Sequence, residues 1–520
     1  MRRRIAIFSV AALVAVGAGA ASAAEDAGAL YREHCAACHG ADRLGATAPA
    51  LIPESLARQK PEQVRRAIAE GRPQTQMPPF GAVLSEEEID AVADYVQAPL
   101  GFTPVWGEAE IEASREPSPD YRAADSPVFE ADPLNLFVVV EAGDHHVTIL
   151  DGDAFEPLAR FASRIGLHGG PKFTPDGRFV FFMSRDGWVT KYDLWSLQTV
   201  AEARAGINSR NIAISADGRW LAVANYLPHS LVILAADDLG VARIFEAKDL
   251  RGTSSRVSAV YQARPRDSFI VALKDVPEIW EVATDPTARP VYPGLVHSYE
   301  KGMEEGLGAS SGLFALRRIA VPEPLDDFFF DPDYRHLIGS ARDGHGAVVV
   351  NLIVGRPIAE VDLPGLPHLG SGISWERNGR RVVATPHLRE GRVSIIDMDD
   401  WSLVKSIDTL GPGFFMRSHA NSRFAWADVF FGPHRDVLHL IDKETLEIVH
   451  TLRPEPGKTA AHVEFDRSGR HALVSIWEED GALVIYDSET LEEAKRIPMR
   501  KPSGKYNVWN KITFEDGTSH

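Results

Sequence analysis

The stretch FTPDGRFVFF, residues 173–182, places a Pro-Asp-Gly turn directly before a run of apolar and aromatic residues. A second turn follows at Arg185-Asp186-Gly187, and another β-rich run follows it at residues 190–194. Short runs of aromatic and β-branched residues, bounded by Asp-Gly turns, are typical of antiparallel strands. The stretch therefore predicts one sheet unit built from consecutive short strands.

The same turn pattern recurs along the rest of the chain, at residues 216–218, 265–267, 332–334, 377–379, 421–423 and 467–469. The centres of the last four turns differ by 45, 44 and 46 residues. A period of about 40 to 50 residues with four short strands per unit is the signature of a β-propeller. Unrelated β-sandwich domains fit this even spacing less well. With residues 134–162 as a further unit, we predict eight blades, and we expect residues 506–514 to supply a closing strand that pairs with the first blade.

The N-terminus has the features of an export signal. Arg2, Arg3 and Arg4 precede an apolar run over residues 5–16, and small residues follow up to Ala24. This order is typical of a cleaved secretory signal, which we place at residues 1–24. A membrane anchor is the alternative, but the apolar run is shorter than the roughly 20 residues that a span needs. The sequence predicts a periplasmic protein with no membrane span after signal cleavage.

The two cysteines of the chain lie in the motif Cys35-Ala36-Ala37-Cys38-His39. Thiols one helical turn apart can add to the two vinyl groups of a haem while the adjacent imidazole binds the iron, and this spacing is the c-type haem attachment signal. A redox dithiol or half of a zinc site are alternatives, but no second cysteine pair exists to complete a zinc tetrahedron. We predict one covalent haem c with His39 as an axial ligand.

Met77 is the predicted sixth ligand of that haem. It is the one methionine between His39 and the end of the small domain, in the proline-rich stretch QMPPF, and no second histidine occurs there. Ligation by His and Met raises the reduction potential and suits electron transfer. Helical patterns at residues 27–34, 61–70 and 85–97 bracket the motif. Residues 25–98 therefore resemble a small all-α cytochrome c domain.

Composition and charge limit the remaining choices. The chain has 73 acidic and 55 basic residues, a formal charge of -18, which repels a phosphate backbone and makes nucleic-acid binding improbable.

Prolines recur between residues 99 and 133 without steady periodicity, which indicates a linker. The predicted fold class is multidomain: a signal peptide (1–24), an all-α cytochrome c domain (25–98), a linker (99–133) and an all-β eight-bladed propeller (134–520).

Four histidines lie in turn-like contexts of the predicted propeller: His168, His368, His419 and His462. Loops of every blade converge at the axial channel of a propeller, where a flat macrocycle with charged side chains can bind. Each histidine alone fits a hydrogen-bonded structural role better than ligation. Four of them at equivalent positions, where each blade begins, favour a ligand-binding channel.

Several stretches carry a resemblance to a known family: SRDG (184–187) followed by YDLW (192–195), VALKD (271–275), Pro367-His368, and SGKYNV (503–508). Together with the order of a cytochrome c domain before an eight-bladed propeller, they resemble the cytochrome cd1 family over nearly the whole mature chain. In that family the propeller holds a non-covalent haem d1. The resemblance implies that His168 is the proximal ligand of its iron.

The family has two enzyme branches, nitrite reductase and the dehydrogenase that completes haem d1 biosynthesis. A reductase carries two distal histidines that protonate nitrite; His368 matches one, but Asp326 stands where the other is expected. His462 and Tyr506 stand where the reductase has a non-basic residue and, typically, Phe. The chain is therefore more similar to the dihydro-haem d1 dehydrogenases, which convert one propionate arm to an acrylate. This implies His462 as the base and Tyr506 as the phenol that orients the arm. It also implies His368 as a third catalytic residue and as a second ligand of the haem d1 iron.

The resemblance also implies cations for the carboxylates of haem d1. Basic positions of the family are matched by Arg185, Arg210, Arg256 and Lys274, and an arginine can clamp a carboxylate through two hydrogen bonds. A solvated surface charge is an equally good interpretation of each residue. The implied partners are a haem d1 precursor as substrate, a small periplasmic electron acceptor, and nitrite reductase as recipient of haem d1.

Three other functions remain open at this level. A cd1-type nitrite reductase is the enzymatic alternative, and nitric oxide formed from nitrite would favour it. A non-catalytic haem d1 carrier or chaperone would capture the pigment without changing its spectrum. A propeller without a second cofactor would act as a protein-interaction platform.

Overall fold

The computed structural model describes residues 26–57, 59–72, 77–291, 309–340 and 346–519, and its backbone divides into two compact units, Met1–Pro104 and Val105–His520. The predicted signal peptide, residues 1–24, lies outside the described residues. Among the described helices, none combines the length and the apolar character needed to cross a bilayer.

Short helices build the first unit. Its helices are α1 (residues 26–34), α2 (Ala36–His39), α3 (Pro53–Leu56), α4 (Pro61–Glu70) and α5 (Glu86–Gln97). Helix α5 begins with a capping box, in which the backbone N–H of Glu88 donates to the Ser85 hydroxyl and the Ser85 N–H donates to the Glu88 carboxylate. Apolar residues of α1, α4 and α5 form one core, which includes the buried side chains of Tyr31 and Val92. The three helical patterns expected from the sequence are present.

Residues between the predicted domains carry two regular elements of their own: helix α6 (Glu108–Ala113) and strand β1 (Glu116–Pro117). Strand β1 pairs with β8 (Gln198–Arg204), and Ile111 of α6 is buried in an apolar cluster of the second unit. Residues 105–132 are therefore packed onto the sheets that follow them. The recurring prolines had predicted only a linker at residues 99–133.

Eight antiparallel sheets form the second unit in the part of the chain that the structure describes, so the predicted eight-bladed propeller is confirmed. In blades 1 to 4 the strands are β2 (Phe137–Glu141), β3 (His146–Leu150), β4 (Pro157–Ala162), β5 (Lys172–Phe173), β6 (Phe179–Met183), β7 (Trp188–Asp193), β8, β9 (Asn208–Ile214), β10 (Trp220–Leu227), β11 (Ser230–Ala235), β12 (Val241–Glu246), β13 (Val257–Ala263), β14 (Ser268–Leu273), β15 (Glu278–Ala283) and β16 (Leu316–Ala320).

Blades 5 to 8 repeat the same plan. Their strands are β17 (Asp327–Phe330), β18 (His336–Ser340), β19 (Ala347–Asn351), β20 (Arg356–Val361), β21 (Ile373–Arg377), β22 (Arg380–Pro386), β23 (Arg392–Asp397), β24 (Leu403–Asp408), β25 (Met416–Arg417), β26 (Phe424–Asp428), β27 (Leu438–Asp442), β28 (Ile448–Leu452), β29 (Ala460–Phe465), β30 (His471–Ile476), β31 (Gly481–Asp487) and β32 (Glu493–Met499). Short 3-10 helices lie at Pro133–Asn135, Arg264–Arg266 and Leu369–Ser371.

A C-terminal strand, β33 (Pro502–Asn507), completes blade 1 and closes the ring. It pairs with β2, with Tyr506 opposite Val138 and Lys505 opposite Val139. The predicted pairing of the C-terminus with the first blade is therefore confirmed, but the strand begins earlier than expected. Residues 508–513, which were expected to continue the strand, form helix α7 (Val508–Thr513) instead.

The first strand of blades 2 to 8 lies nearest the axis, and β33 takes this place in blade 1. These innermost strands pack on those of neighbouring blades, as β9 does on β13 and β29 on β33. Strands such as β29 are buried along their whole length, whereas an outermost strand such as β28 is mostly exposed. We call the end of the ring where these first strands begin the upper end, and the end where they turn into the second strands the lower end. The recurring Asp-Gly turns lie at the lower end, and Gly177 and Gly469 adopt φ of 74° and 75° there, which favours glycine.

Candidate functional site

The first unit holds the cysteine motif at the junction of α1 and α2. Cys35 and Cys38 are free thiols, Cys35 half-buried and Cys38 exposed. The His39 Nδ1 donates to the Pro49 carbonyl oxygen at 2.7 Å, which fixes the ring and leaves Nε2 as the ligand atom. This donor set fits a covalently attached haem with His39 as one axial ligand.

Met77 lies against the same apolar cluster as Cys35. The backbone of Gly71, whose φ is 68°, packs against the residues around Met77, since a Cβ at Gly71 would lie 2.6 Å from the Pro78 backbone. The chain can therefore approach Met77 this closely only with glycine at position 71. The side chain of Met77 lies on the cluster that also contains Cys35, which fits the prediction of Met77 as the second axial ligand.

In the second unit, two of the predicted histidines share one arrangement at the upper end. The His168 Nδ1 donates to the Arg210 carbonyl oxygen and the His368 Nδ1 donates to the Phe414 carbonyl oxygen, both at 2.7 Å. Each acceptor comes from the next blade, and both rings keep Nε2 for another contact. His168 precedes blade 2 and His368 precedes blade 6, so in a ring of eight the two imidazoles come from opposite sides of the channel.

Arginines surround His168. The Arg210 Nη1 lies 2.7 Å from the His168 Nε2, so a metal bound at that nitrogen must displace the guanidinium. Arg185 lies in the turn between β6 and β7, where its backbone bonds Gly166 and Ser209 beside the same loop. Both arginines are therefore brought to the upper end next to the predicted proximal histidine.

The other two predicted cations are already paired. Arg256 binds both carboxylate oxygens of Asp275, and Lys274 forms an ion pair with Asp326. Both cations flank the ring of Tyr226, at 5.4 and 5.5 Å from its centroid. They lie at the upper end as expected, but their charges are neutralised by carboxylates of the protein itself.

His462 and Tyr506 lie together on the wall of the channel. Their ring centroids are 5.2 Å apart in an edge-on arrangement, and the buried His462 Nδ1 has no hydrogen-bond partner within the described residues. Burial, with the charges of Lys505 and Arg417, holds the pKa of His462 well below its usual range. Burial raises the pKa of Tyr506 to about 12. At neutral pH the pair is therefore a neutral imidazole beside a protonated phenol.

Glycines make room for Tyr506. A Cβ at Gly170, whose φ is 66°, would lie 3.2 Å from the Tyr506 ring, and one at Gly504 would lie 2.6 Å from its hydroxyl. Gly170 follows His168 by two residues, so the phenol lies against the loop that carries the predicted proximal ligand. The Tyr506 ring therefore contacts both the loop of His168 and the imidazole of His462.

The fourth histidine, His419, lies elsewhere. It is in the turn between β25 and β26, at the lower end, where Nδ1 accepts from the Asn421 backbone N–H at 3.1 Å. His462 also differs from the expectation, since it lies within β29 rather than in a loop. The expectation that all four histidines occupy equivalent blade positions was therefore wrong.

A family model described as the cytochrome D1 heme domain matches residues 131–293 and 311–511. The chain belongs to the cytochrome D1 haem domain family. A second model, described as cytochrome c oxidase, cbb3-type, subunit III, matches residues 22–96, the range that contains the cysteine motif. The expected resemblance to the cytochrome cd1 family is confirmed.

Relatives of this cytochrome D1 haem domain protein include both enzyme branches. A Pseudomonas aeruginosa protein named dihydro-haem d1 dehydrogenase is 55% identical over 493 residues, covering 95% of each chain. A nitrite reductase of Stutzerimonas stutzeri is 24% identical over 537 residues, covering 92% of each chain. A solved structure titled dihydro-haem d1 dehydrogenase NirN in complex with DHE superimposes with a TM-score of 0.86 and 55% identity, covering 94% of this chain and 100% of that chain.

The cytochrome D1 haem domain also contains polar groups that the sequence reasoning missed. Tyr261 donates to Asp327 at 2.8 Å, and burial raises the pKa of this carboxyl group, which lies near His368. Asp428 and Lys505 are buried beside His462. A charged residue at the end of an apolar strand, as in Phe424-Ala425-Trp426-Ala427-Asp428, is the signal that would have identified Asp428.

Lys172 lines a cavity of about 30 Å³ in the cytochrome D1 haem domain, together with Tyr261 and Lys511. Its ammonium group donates to the Gly169 carbonyl oxygen at 3.1 Å. Burial lowers the pKa of Lys172 from 10.5 to about 8. The charged form of this side chain is therefore penalised in the folded protein.

Replacing Lys172 by methionine is expected to raise the midpoint of thermal unfolding by about 2 °C at pH 7, because the penalty on the charge disappears. Below pH 8 the lysine is charged in both the folded and the unfolded state, and the penalty is complete. Between pH 8 and 10.5 the folded protein loses the proton first, so the gain from the substitution shrinks as the pH rises. Calorimetry from pH 7 to 9.5 measures the difference in unfolding midpoint between the variant and the wild-type protein, with the exposed Lys248→Met as control. A difference that grows with pH would contradict the lowered pKa of Lys172.

Proposed function

We propose that this protein is a periplasmic oxidoreductase that oxidises dihydro-haem d1 to haem d1 in the last step of haem d1 biosynthesis. The propionate arm of the substrate becomes an acrylate, and the electrons pass to an external acceptor. The family, the 55% identity to a dihydro-haem d1 dehydrogenase and the geometry at the upper end support this activity.

One observation carries the proposal. The buried imidazole of His462, whose Nδ1 lacks a hydrogen-bond partner among the described residues, lies against the Tyr506 phenol, and His168 and His368 come from opposite blades of the same ring. Two anchored imidazoles suit the two faces of an iron tetrapyrrole. A neutral base beside one edge of that tetrapyrrole suits removal of a proton from a saturated arm.

His462 and Tyr506 have different tasks in this reaction. The arm loses two protons and two electrons when its single carbon–carbon bond becomes double. The neutral His462 accepts one of the two protons at Nδ1 and the other is released to water, while Tyr506 remains protonated and donates a hydrogen bond to the carboxylate of the arm. Because His462 is a weak base, proton removal has to accompany withdrawal of electrons from the arm.

The cytochrome c unit supplies the redox partner in this proposal. Cys35 and Cys38 would hold the haem covalently, and His39 and Met77 would be its axial ligands. When bound, such a haem supplies one-electron transfer at a raised potential. A small soluble electron acceptor and a nitrite reductase that receives the product are the proposed partners, and export by residues 1–24 is the proposed route to the periplasm.

Anaerobic incubation of the protein with dihydro-haem d1 and a one-electron acceptor tests the function. We expect the extracted pigment to lose two hydrogens, as measured by mass spectrometry, and to take the absorption of the acrylate form. Unchanged pigment that remains bound would identify a carrier instead. Release of nitric oxide from added nitrite, without pigment conversion, would identify a nitrite reductase.

A further inference from the structure

Two consecutive phenylalanines connect the predicted distal histidine to the predicted base. The carbonyl oxygen of Phe414 accepts from His368 at 2.7 Å, and the Phe414 ring lies 4.4 Å from the imidazole, centroid to centroid. The Phe415 ring lies 4.8 Å from the imidazole of His462. Any movement of this dipeptide therefore changes the positions of both histidines.

Asp428, the last residue of β26, holds the dipeptide in place. Its Oδ1 accepts from the backbone N–H of Phe414 at 2.7 Å and of Phe415 at 3.1 Å. Its Oδ2 accepts a longer contact, 3.5 Å, from the backbone N–H of His462. The Asp428 carboxylate thus contacts the backbone of the Phe414-Phe415 dipeptide, which packs against His368, and the backbone of His462 itself.

Lys505 holds the other side of His462. Its ammonium group donates to the carbonyl oxygen of His462, to that of Ala461 at 3.4 Å, and to the hydroxyl of Ser475 at 2.7 Å. His462 adopts φ of 50° at a bulge in β29, a conformation that side chains other than glycine rarely adopt. Hydrogen bonds on both of its peptide groups stabilise this conformation and direct the imidazole towards the channel.

The arrangement is costly for the fold. Asp428 is 2% exposed and Lys505 is fully buried. Burial raises the pKa of Asp428 to about 7 and holds that of Lys505 well below its usual range. An apolar pair would fill the same space without this penalty, so the polar groups point to a role beyond stability.

We propose that Asp428 and Lys505 are positioning residues that fix the spacing between His368 and His462, with Asp428 acting through the Phe414-Phe415 dipeptide. The inference rests on the proposed function, since it concerns the distal ligand and the base of that reaction. In this proposal Asp428 has a single role, which is to fix the position of His368, the proposed iron ligand, relative to His462, the proposed base.

Asp428→Asn is the first test, at pH 8. The amide keeps the shape and one acceptor oxygen, but its NH₂ group faces the backbone N–H of His462, so that segment is expected to shift. We expect kcat to fall about tenfold with KM unchanged, because misplacement of a reacting group lowers the rate more than the affinity. The absorption spectrum of bound ferric haem d1 is also expected to change, because His368 moves with Phe414.

Asp442→Asn is the matched control. Asp442 is 1% exposed in the same blade, and its Oδ1 accepts the backbone N–H of Glu444 at 3.0 Å and of Thr445 at 2.9 Å at the lower end. This variant is expected to lose stability without a change in kcat or in the spectrum. If Asp428→Asn behaves in the same way as Asp442→Asn, Asp428 is only a structural residue and the proposal is overturned.

Phe415→Leu is a second variant in case the aspartate substitution prevents folding. It removes the ring that contacts His462 but leaves the Phe414 carbonyl and the Asp428 contacts, so kcat should fall while the spectrum stays unchanged. An unchanged kcat would overturn the link to His462. If the wild-type protein binds haem d1 but does not convert its precursor, the proposed function fails, whereas the spectral comparison still decides whether Asp428 controls His368.

Discussion

Replacing His462 by alanine is expected to abolish oxidation of dihydro-haem d1 while leaving its binding intact. His462 contributes a buried ring nitrogen, Nδ1, that lacks a hydrogen-bond partner in the described part of the chain. Loss of a general base costs about 10²- to 10⁴-fold in rate. The base makes no bond to the iron, so the dissociation constant should change little. Single-turnover absorbance measures the rate, and an equilibrium titration measures the affinity.

His439→Ala is the control for this result. His439 is also a buried strand histidine, 3% exposed, but it bonds Thr451 and the Leu410 backbone in blade 7. This substitution should affect stability and leave turnover unchanged. A His462→Ala protein that still forms the acrylate would refute the assignment of His462 as the base.

Replacing His168 by alanine is expected to weaken binding of the tetrapyrrole roughly 100-fold or more, since even indirect partners of a metal ligand contribute 10- to 100-fold. The His168 Nδ1 is already anchored to the Arg210 carbonyl oxygen, so the ring orientation is fixed and Nε2 can bind the iron once the Arg210 guanidinium moves away. Added imidazole can fill the space and should restore much of the affinity. Titration of the variant with haem d1, with and without imidazole, measures both effects.

His419→Ala is the control for His168, because this histidine occupies a turn at the lower end. It should bind haem d1 as the wild-type protein does. Equal affinities of the His168 and His419 variants would exclude His168 as a ligand.

The fold was predictable because the strands of each blade are consecutive in the sequence and pair with their neighbours across short turns. A strand, an Asp-Gly turn and another strand are decided within about ten residues, and the repetition of this unit reveals the ring. The closing strand was less predictable. Residues 506–514 alternate well enough for a strand, but the Asn507 side chain accepts from the Asn510 backbone N–H and starts helix α7 at that point.

The site residues were predictable where the residues that act together lie within one short sequence motif. The Cys35 to His39 spacing is such a motif, and so is a histidine in a glycine-rich turn, as at His168. His419 shows the limit: its local sequence resembles a ligand loop, but only the strand order tells which end of the ring a turn occupies. Asp428 contacts the backbone of His462 in blade 8, and Lys505 contacts blade 8 from blade 1. No local pattern reveals such contacts between blades.

Pairing of β33 with β2 also dictates an order of events during biosynthesis. Strand β2 is synthesised early, and the edge that pairs with β33 stays unpaired until β33 has been synthesised. That strand brings Tyr506 with it, so a nascent or C-terminally clipped polypeptide contains no complete pocket. Loading of a tetrapyrrole must therefore follow synthesis of β33, whereas attachment of a haem at Cys35 and Cys38 has no such constraint.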